Sequence, residues 1–174
     1  IYTTNFDTVV EKAYRAAKKS LTPIRSNYDI RNLHGTDATP LFKIHGCIKK
    51  DRAFGDLSSR VLTERDFDEH EDYRETIFQT LKLDMSTKDI LFVGYSLSDP
   101  HLRSQVKEIS KLHRDKGAPG QFYMLCFEAD EDRLRLMRMK GIHVAVGDID
   151  VLMDALAGKH TSETPQQAAE LGQV

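Results

Sequence analysis

Asp89-Ile90-Leu91-Phe92-Val93-Gly94-Tyr95-Ser96-Leu97-Ser98-Asp99-Pro100 is the stretch that decides the fold. Its first half is a nearly continuous apolar run between polar residues, the mark of a strand buried on both faces in a parallel sheet. Its second half is a polar turn that ends in Asp99-Pro100. An aspartate N-cap followed by proline at the first helical position is a strong helix start. Leu102, Val106, Ile109 and Leu112 then recur at helical spacing and supply that helix with an apolar face.

Working outward, the same alternation repeats. Gly117-Ala118-Pro119-Gly120 breaks the chain, and Phe122-Tyr123-Met124-Leu125-Cys126-Phe127 reads as a second buried strand. A helix over 132–140, a strand at Ile142-His143-Val144-Ala145-Val146 and a helix over 148–156 follow. Toward the amino terminus, Thr63-Glu64-Arg65-Asp66 has the form of a capping box with aspartate in place of glutamate. The helix it starts carries Tyr73, Ile77, Phe78, Leu81 and Leu83. Residues 22–50 contain Pro23, Gly35, Pro40 and Gly46 and read as loops and short strands, Leu41-Phe42-Lys43-Ile44 being the best strand. Phe6, Val9, Val10, Ala13, Tyr14 and Ala17 mark a first helix, with Asp7 at its start and Lys18-Lys19 at its end, as the helix dipole favours. Strands alternating with helices predict an α/β fold, Rossmann-like and doubly wound, with a mostly parallel sheet and helices on both faces. No internal repeat is present.

The 174 residues fit one domain, typical domains running roughly 100–200 residues. That domain is expected over 1–157, with 158–174 a polar tail or linker. The chain opens on Ile1-Tyr2-Thr3, the end of a strand, without an initiator methionine, and is read as part of a longer protein whose first βα unit is missing here. A net charge of −2 gives no argument for a nucleic-acid or membrane partner. Cys47 and Cys126 sit in apolar stretches without a pair of CxxC motifs, so neither a disulfide framework nor a structural zinc site is expected. No apolar run approaches the ~20 residues of a membrane span, and a reducing, cytoplasmic setting is the default.

Three polar clusters lie at the ends of apolar extended runs: Thr3-Thr4-Asn5-Phe6-Asp7, Lys43-Ile44-His45-Gly46 and Gly94-Tyr95-Ser96-Leu97-Ser98-Asp99. Open parallel sheets bind ligands beyond the carboxyl ends of their strands, so clusters distant in sequence can converge on one pocket. Together they offer an amide, an imidazole, hydroxyls and a glycine, a kit suited to holding and cleaving a nucleotide. An asparagine side chain both donates and accepts and can orient a water and a ribose hydroxyl. Histidine as a residue type titrates near neutrality, as a general base should. Each residue also has a structural reading. Asn5 can serve as a turn residue, Asp7 as an N-cap, Ser96 and Asp99 as helix-start groups, and His45 as a histidine bonded to backbone. His34-Gly35 repeats the His45-Gly46 dipeptide, but only His45 follows a strand. Cys47 lacks an activating basic cluster and reads as core. The acidic run over 66–72 spreads over several faces of a helix and reads as a solvated surface, and 133–140 as an amphipathic helix.

These three clusters, in this order and spacing, resemble the sirtuin family of NAD-consuming proteins. Thr3-Thr4-Asn5-Phe6-Asp7 is similar to that family's Thr-Gln-Asn-hydrophobe-Asp motif, Lys43-Ile44-His45-Gly46 to its catalytic His-Gly strand end, and Asp89 through Leu97 to its Gly-Thr-Ser-Leu stretch, with Tyr95 replacing threonine. The Gly-Ala-Gly loop that cradles the dinucleotide phosphates in the family has no counterpart in this sequence, nor do the four zinc-binding cysteines of the deacylating members. Gly-Tyr-Ser-Leu-Ser-Asp, and the helix start at Thr63, Asp66 and Phe67, look more like the sirtuin-like branch of bacterial anti-phage proteins. The resemblance implies cleavage of the nicotinamide–ribose bond of NAD to nicotinamide and ADP-ribose, without a metal. Asn5 and His45 would then be catalytic, with Thr4, Asp7, Gly94, Ser96 and Leu97 contacting NAD. It further implies fusion to a sensor or effector domain and leaves homo-oligomerisation open. The competing readings are a module that senses NAD or ADP-ribose without turnover, an NAD-dependent protein deacylase, and an oligomerisation domain that has lost the chemistry.

Overall fold

The computed structural model describes residues 1–48, 64–116, 120–128 and 130–158. In order they form β1 (Tyr2–Thr3), α1 (Val9–Ala16), β2 (Leu21–Ile24), a 3-10 helix (Asn27–Leu33), β3 (Thr39–Lys43), α2 (Glu64–Thr87), β4 (Ile90–Val93), α3 (Pro100–Lys116), β5 (Phe122–Cys126), α4 (Glu131–Met139), β6 (Ile142–Val146) and α5 (Ile149–Leu156). Every strand pair is parallel. This is the α/β class the sequence predicts. The described strands pair in two groups of three, ordered β1-β3-β2 and β4-β5-β6, as a Rossmann-like fold allows. Local patterning marks strands; it does not say which strands become neighbours. The chain divides correspondingly into two compact units, with the boundary after Asp84. Thr63, residues 117–119 and the tail beyond Gly158 lie outside the described residues, as do the side chains of the acidic run over 66–72.

In the first unit β3 is the central strand. The Phe42 amide donates to the Ile1 carbonyl at 2.9 Å and the Ile44 amide to that of Thr3 at 3.0 Å. Pro40, which has no amide hydrogen to donate, precedes them on the same side of the strand and still joins the ladder through its carbonyl, which accepts from the Ile1 nitrogen at 2.9 Å. Pro23 lies in β2, an edge strand, where proline is tolerated. One face of the sheet buries Ile24, Phe42 and Ile77, with Tyr2, Ile30 and Leu33 packed around them. Tyr2 stacks on Phe42 with ring centroids 4.7 Å apart. Side chains alternate along a strand, so Lys43 points to the opposite face, toward α1.

In the second unit Phe122, Met124 and Ile142 are fully buried, as are Val106 and Ile109 on the predicted apolar face of α3. Phe92 meets Phe122 edge-on at 5.8 Å, and His113 lies 5.1 Å from the same ring while donating from Nε2 to the Met85 carbonyl at 3.2 Å. The run that reads as buried on both faces is not so here: Leu91 and Val93 are 43% and 42% exposed. β4 is an edge strand, and on this face Leu91, Tyr123, Leu125, His143 and Ala145 line an apolar pocket of ≈ 420 Å³ that Leu152 of α5 only partly covers. No helix among the described residues is long and apolar enough to cross a membrane.

Candidate active site

The parallel register of β1 and β3 pairs Tyr2 with Phe42 and Thr3 with Lys43. Asn5 and His45 each follow two residues later, at equivalent positions beyond the carboxyl ends of adjacent strands. Main-chain bonds knit the two loops together. Besides the Ile44–Thr3 bond, the Ile48 amide donates to the Phe6 carbonyl at 2.8 Å. Phe6 and His45 face each other with ring centroids 6.5 Å apart. Asn5 is exposed, its amide donating to Thr3 Oγ1 at 3.1 Å, whereas His45 is half-buried. Gly46 turns the chain with φ +94° and donates its amide to the Lys43 carbonyl at 3.1 Å. Such a φ suits glycine, which carries no Cβ. His34 instead ends the 3-10 helix, exposed and away from any strand end.

Thr4 is half-buried and Thr8 buried. Asp7 starts α1: its Oδ1 accepts the Val9 amide at 2.9 Å, and Thr8 makes no side-chain cap. The Asp7 carbonyl in turn accepts a hydrogen bond from Lys43 Nζ. Lys43 is among the largest fully buried side chains, and sequence reasoning assigned it no role. The signal was present in the sequence, since Lys43 interrupts the apolar run Leu41-Phe42-Lys43-Ile44.

The third cluster belongs to the second unit. Asp99 caps α3 through Oδ1, which accepts the Leu102 amide at 3.0 Å. Gly94 has φ +60°, and a Cβ there would meet nothing within 4 Å. Ser96 is exposed and donates to Ser98 Oγ at 2.9 Å. Leu97 adopts a left-handed backbone with φ +56° while its side chain is buried, a conformation that costs roughly 1–2 kcal/mol outside glycine. Its side chain is anchored in the core, which leaves its backbone as the part able to meet a ligand. The Tyr95 hydroxyl is buried, beside Asp99. Burial, and then the charge of Asp99, push its acidity well below that of an ordinary phenol, raising its pKa. Thr4, Asn5, Asp7 and His45 are thus gathered in the first unit, and Gly94, Ser96 and Leu97 in one turn of the second.

Residues 1–145 match the family model described as SIR2-like domain. The chain belongs to the SIR2-like family. Its relatives include a protein named NAD(+) hydrolase ThsA from Enterococcus faecium, 33% identical over 120 residues, which covers 68% of this chain and 24% of that protein. A second, named Defense-associated sirtuin 2, from Bacillus subtilis, is 27% identical over 115 residues, 66% of this chain and 11% of its own. A third, NAD(+) hydrolase ThsA from Bacillus cereus (strain MSX-D12), is 30% identical over 105 residues, 58% of this chain and 20% of its own. The SIR2-like chain therefore spans a quarter or less of these curated relatives. Cys47 and Cys126 are free and buried, and no group of three or more histidines, cysteines or carboxylates is placed to hold a metal among the described residues.

Proposed function

We propose that this SIR2-like chain is the NAD-cleaving domain of a bacterial anti-phage protein, hydrolysing NAD to nicotinamide and ADP-ribose. The observation that carries the reading is the β1–β3 register, which sets Asn5 and His45 at matched positions on adjacent strand ends. The names of the relatives support the substrate and the defence setting. Breaking the bond between the ribose carbon and the nicotinamide nitrogen builds oxocarbenium character at that carbon, as in glycoside hydrolysis. The bonding pair leaves with nicotinamide, which departs neutral and needs no general acid. A water then forms the new carbon–oxygen bond and gives up a proton.

Asn5 positions that water and a ribose hydroxyl, and His45 takes the proton. Thr4 and Asp7 brace the loop on the nicotinamide side. Gly94 allows close backbone approach, Ser96 bonds a phosphate or the adenine ribose, and Leu97 contributes its backbone. The domain works in the cytoplasm as part of a longer protein that carries a sensor or effector domain. The experiment is NAD consumption by the full-length protein, comparing wild type with Asn5→Ala and His45→Ala. Consumption abolished by both substitutions is the expected result. Binding of NAD without turnover, under every activating condition tried, would make the domain a sensing module instead.

A further inference from the structure

Lys43 is 1% exposed, and burying an ammonium is costly unless it is paired and hydrogen-bonded. Its two partners are unequal. Nζ donates to the backbone carbonyl of Asp7, while the Glu11 carboxylate of α1 stands back at 3.6 Å. Both Glu11 carboxylate oxygens are buried and lack a hydrogen-bond partner among the described residues. The ammonium has three N–H donors, and at 3.6 Å Glu11 lies beyond hydrogen-bond reach of them. Here the bond goes to the main chain of the loop, and Glu11 supplies the countercharge. Lys43 lies two residues before His45, and Asp7 two residues after Asn5. One side chain therefore ties the loop carrying Asn5 to the strand carrying His45.

We infer that Lys43 is a positioning residue for the Asn5–His45 pair, with its ammonium fixing the Asp7 carbonyl and Glu11 neutralising it. The inference rests on the roles proposed above for Asn5 and His45. A small displacement of reacting groups can lower a rate by up to about 100-fold without weakening binding, so the effect belongs in kcat and not in KM.

The test compares wild-type full-length protein with Lys43→Met, Glu11→Gln and the double variant. The readouts are kcat and KM for NAD, thermal unfolding, and hydrogen exchange at the Val9 and Ile48 amides. Lys43→Met alone leaves a buried carboxylate without its countercharge and loses stability. The double variant regains thermal stability, yet its kcat stays roughly 10- to 100-fold down with KM within about threefold. In that variant the Val9 and Ile48 amides exchange faster. Glu11→Gln lowers kcat less than Lys43→Met does. Recovery of kcat together with stability in the double variant overturns the inference, as does an equal kcat loss in the two single variants. If the wild type consumes no NAD, the functional reading fails by itself, and the exchange data still decide the clamp: unchanged exchange in the double variant sinks it.

Discussion

The Tyr2 hydroxyl donates to the Asp84 carboxylate at 2.8 Å, tying the short strand β1 to the far end of α2 across 82 positions of sequence. Burial first, and then the hydrogen bond and charge of Asp84, hold the Tyr2 phenol protonated well beyond its ordinary range. A group whose pKa is raised on folding contributes stability that is complete below its unfolded value, about 10 for tyrosine, and is lost as pH rises past it. Tyr2→Phe is therefore expected to cost about 1 kcal/mol at neutral pH through the lost hydrogen bond. It should also flatten the decline of stability above about pH 10. Denaturant unfolding of both proteins from neutral to alkaline pH measures this, and parallel curves would contradict it.

Helix starts give a second prediction. Asp99 accepts the Leu102 amide and Asp7 the Val9 amide. Asp99→Ala is expected to cost about 1 kcal/mol, and Asp99→Asn only a few tenths, since asparagine caps nearly as well. A loss in Asp99→Asn as large as in Asp99→Ala would mean that the charge of Asp99 matters more than its acceptor. Equilibrium unfolding at low and high salt separates the two, because only a charge effect is screened.

How far the fold can be read from sequence depends on what each residue's signal is made of. β5 is a contiguous apolar run, β6 is apolar but for His143, and Asp99-Pro100 is a local capping signal, so these were legible. β2 was not separated from loop because Pro23 removes an amide, which only the edge position revealed in the structure makes harmless. The order of the strands, β1-β3-β2 and β4-β5-β6, was invisible, since it is decided by tertiary pairing. Asn5 and His45 were legible as candidates because each ends a strand, while the register that matches them had to come from the structure. Lys43 escaped notice because a lysine in a strand ordinarily faces water. Its burial depends on where α1 brings Glu11 and Asp7.

The two central residues should fail differently. His45→Ala removes the proposed base, and general-base catalysis contributes typically 10²–10⁴-fold, so kcat is expected to fall by about that factor with little change in KM. Asn5→Asp keeps the side chain's size and an acceptor but loses its donor protons, so kcat should also fall by about 100-fold or more. A KM increase that accounts for the whole loss in Asn5→Asp would place Asn5 in ground-state binding. Steady-state kinetics of NAD cleavage distinguish these outcomes.

Gly94 and Gly120 make opposite demands on a methyl group. At Gly94 the backbone is left-handed with φ +60°, but a Cβ meets nothing within 4 Å. At Gly120 a Cβ would lie 2.4 Å from the Lys88 carbonyl oxygen, a main-chain atom that cannot swing aside. Gly94→Ala is thus expected to cost about 1 kcal/mol of stability from the backbone alone, and Gly120→Ala more, because main chain must shift. In NAD cleavage the order should reverse. If the open side of Gly94 receives the dinucleotide, its methyl raises KM several-fold while Gly120→Ala leaves KM near wild type in whatever fraction folds. Thermal unfolding and KM measured on the same two variants test both halves, and an unchanged KM in Gly94→Ala would remove Gly94 from the binding surface.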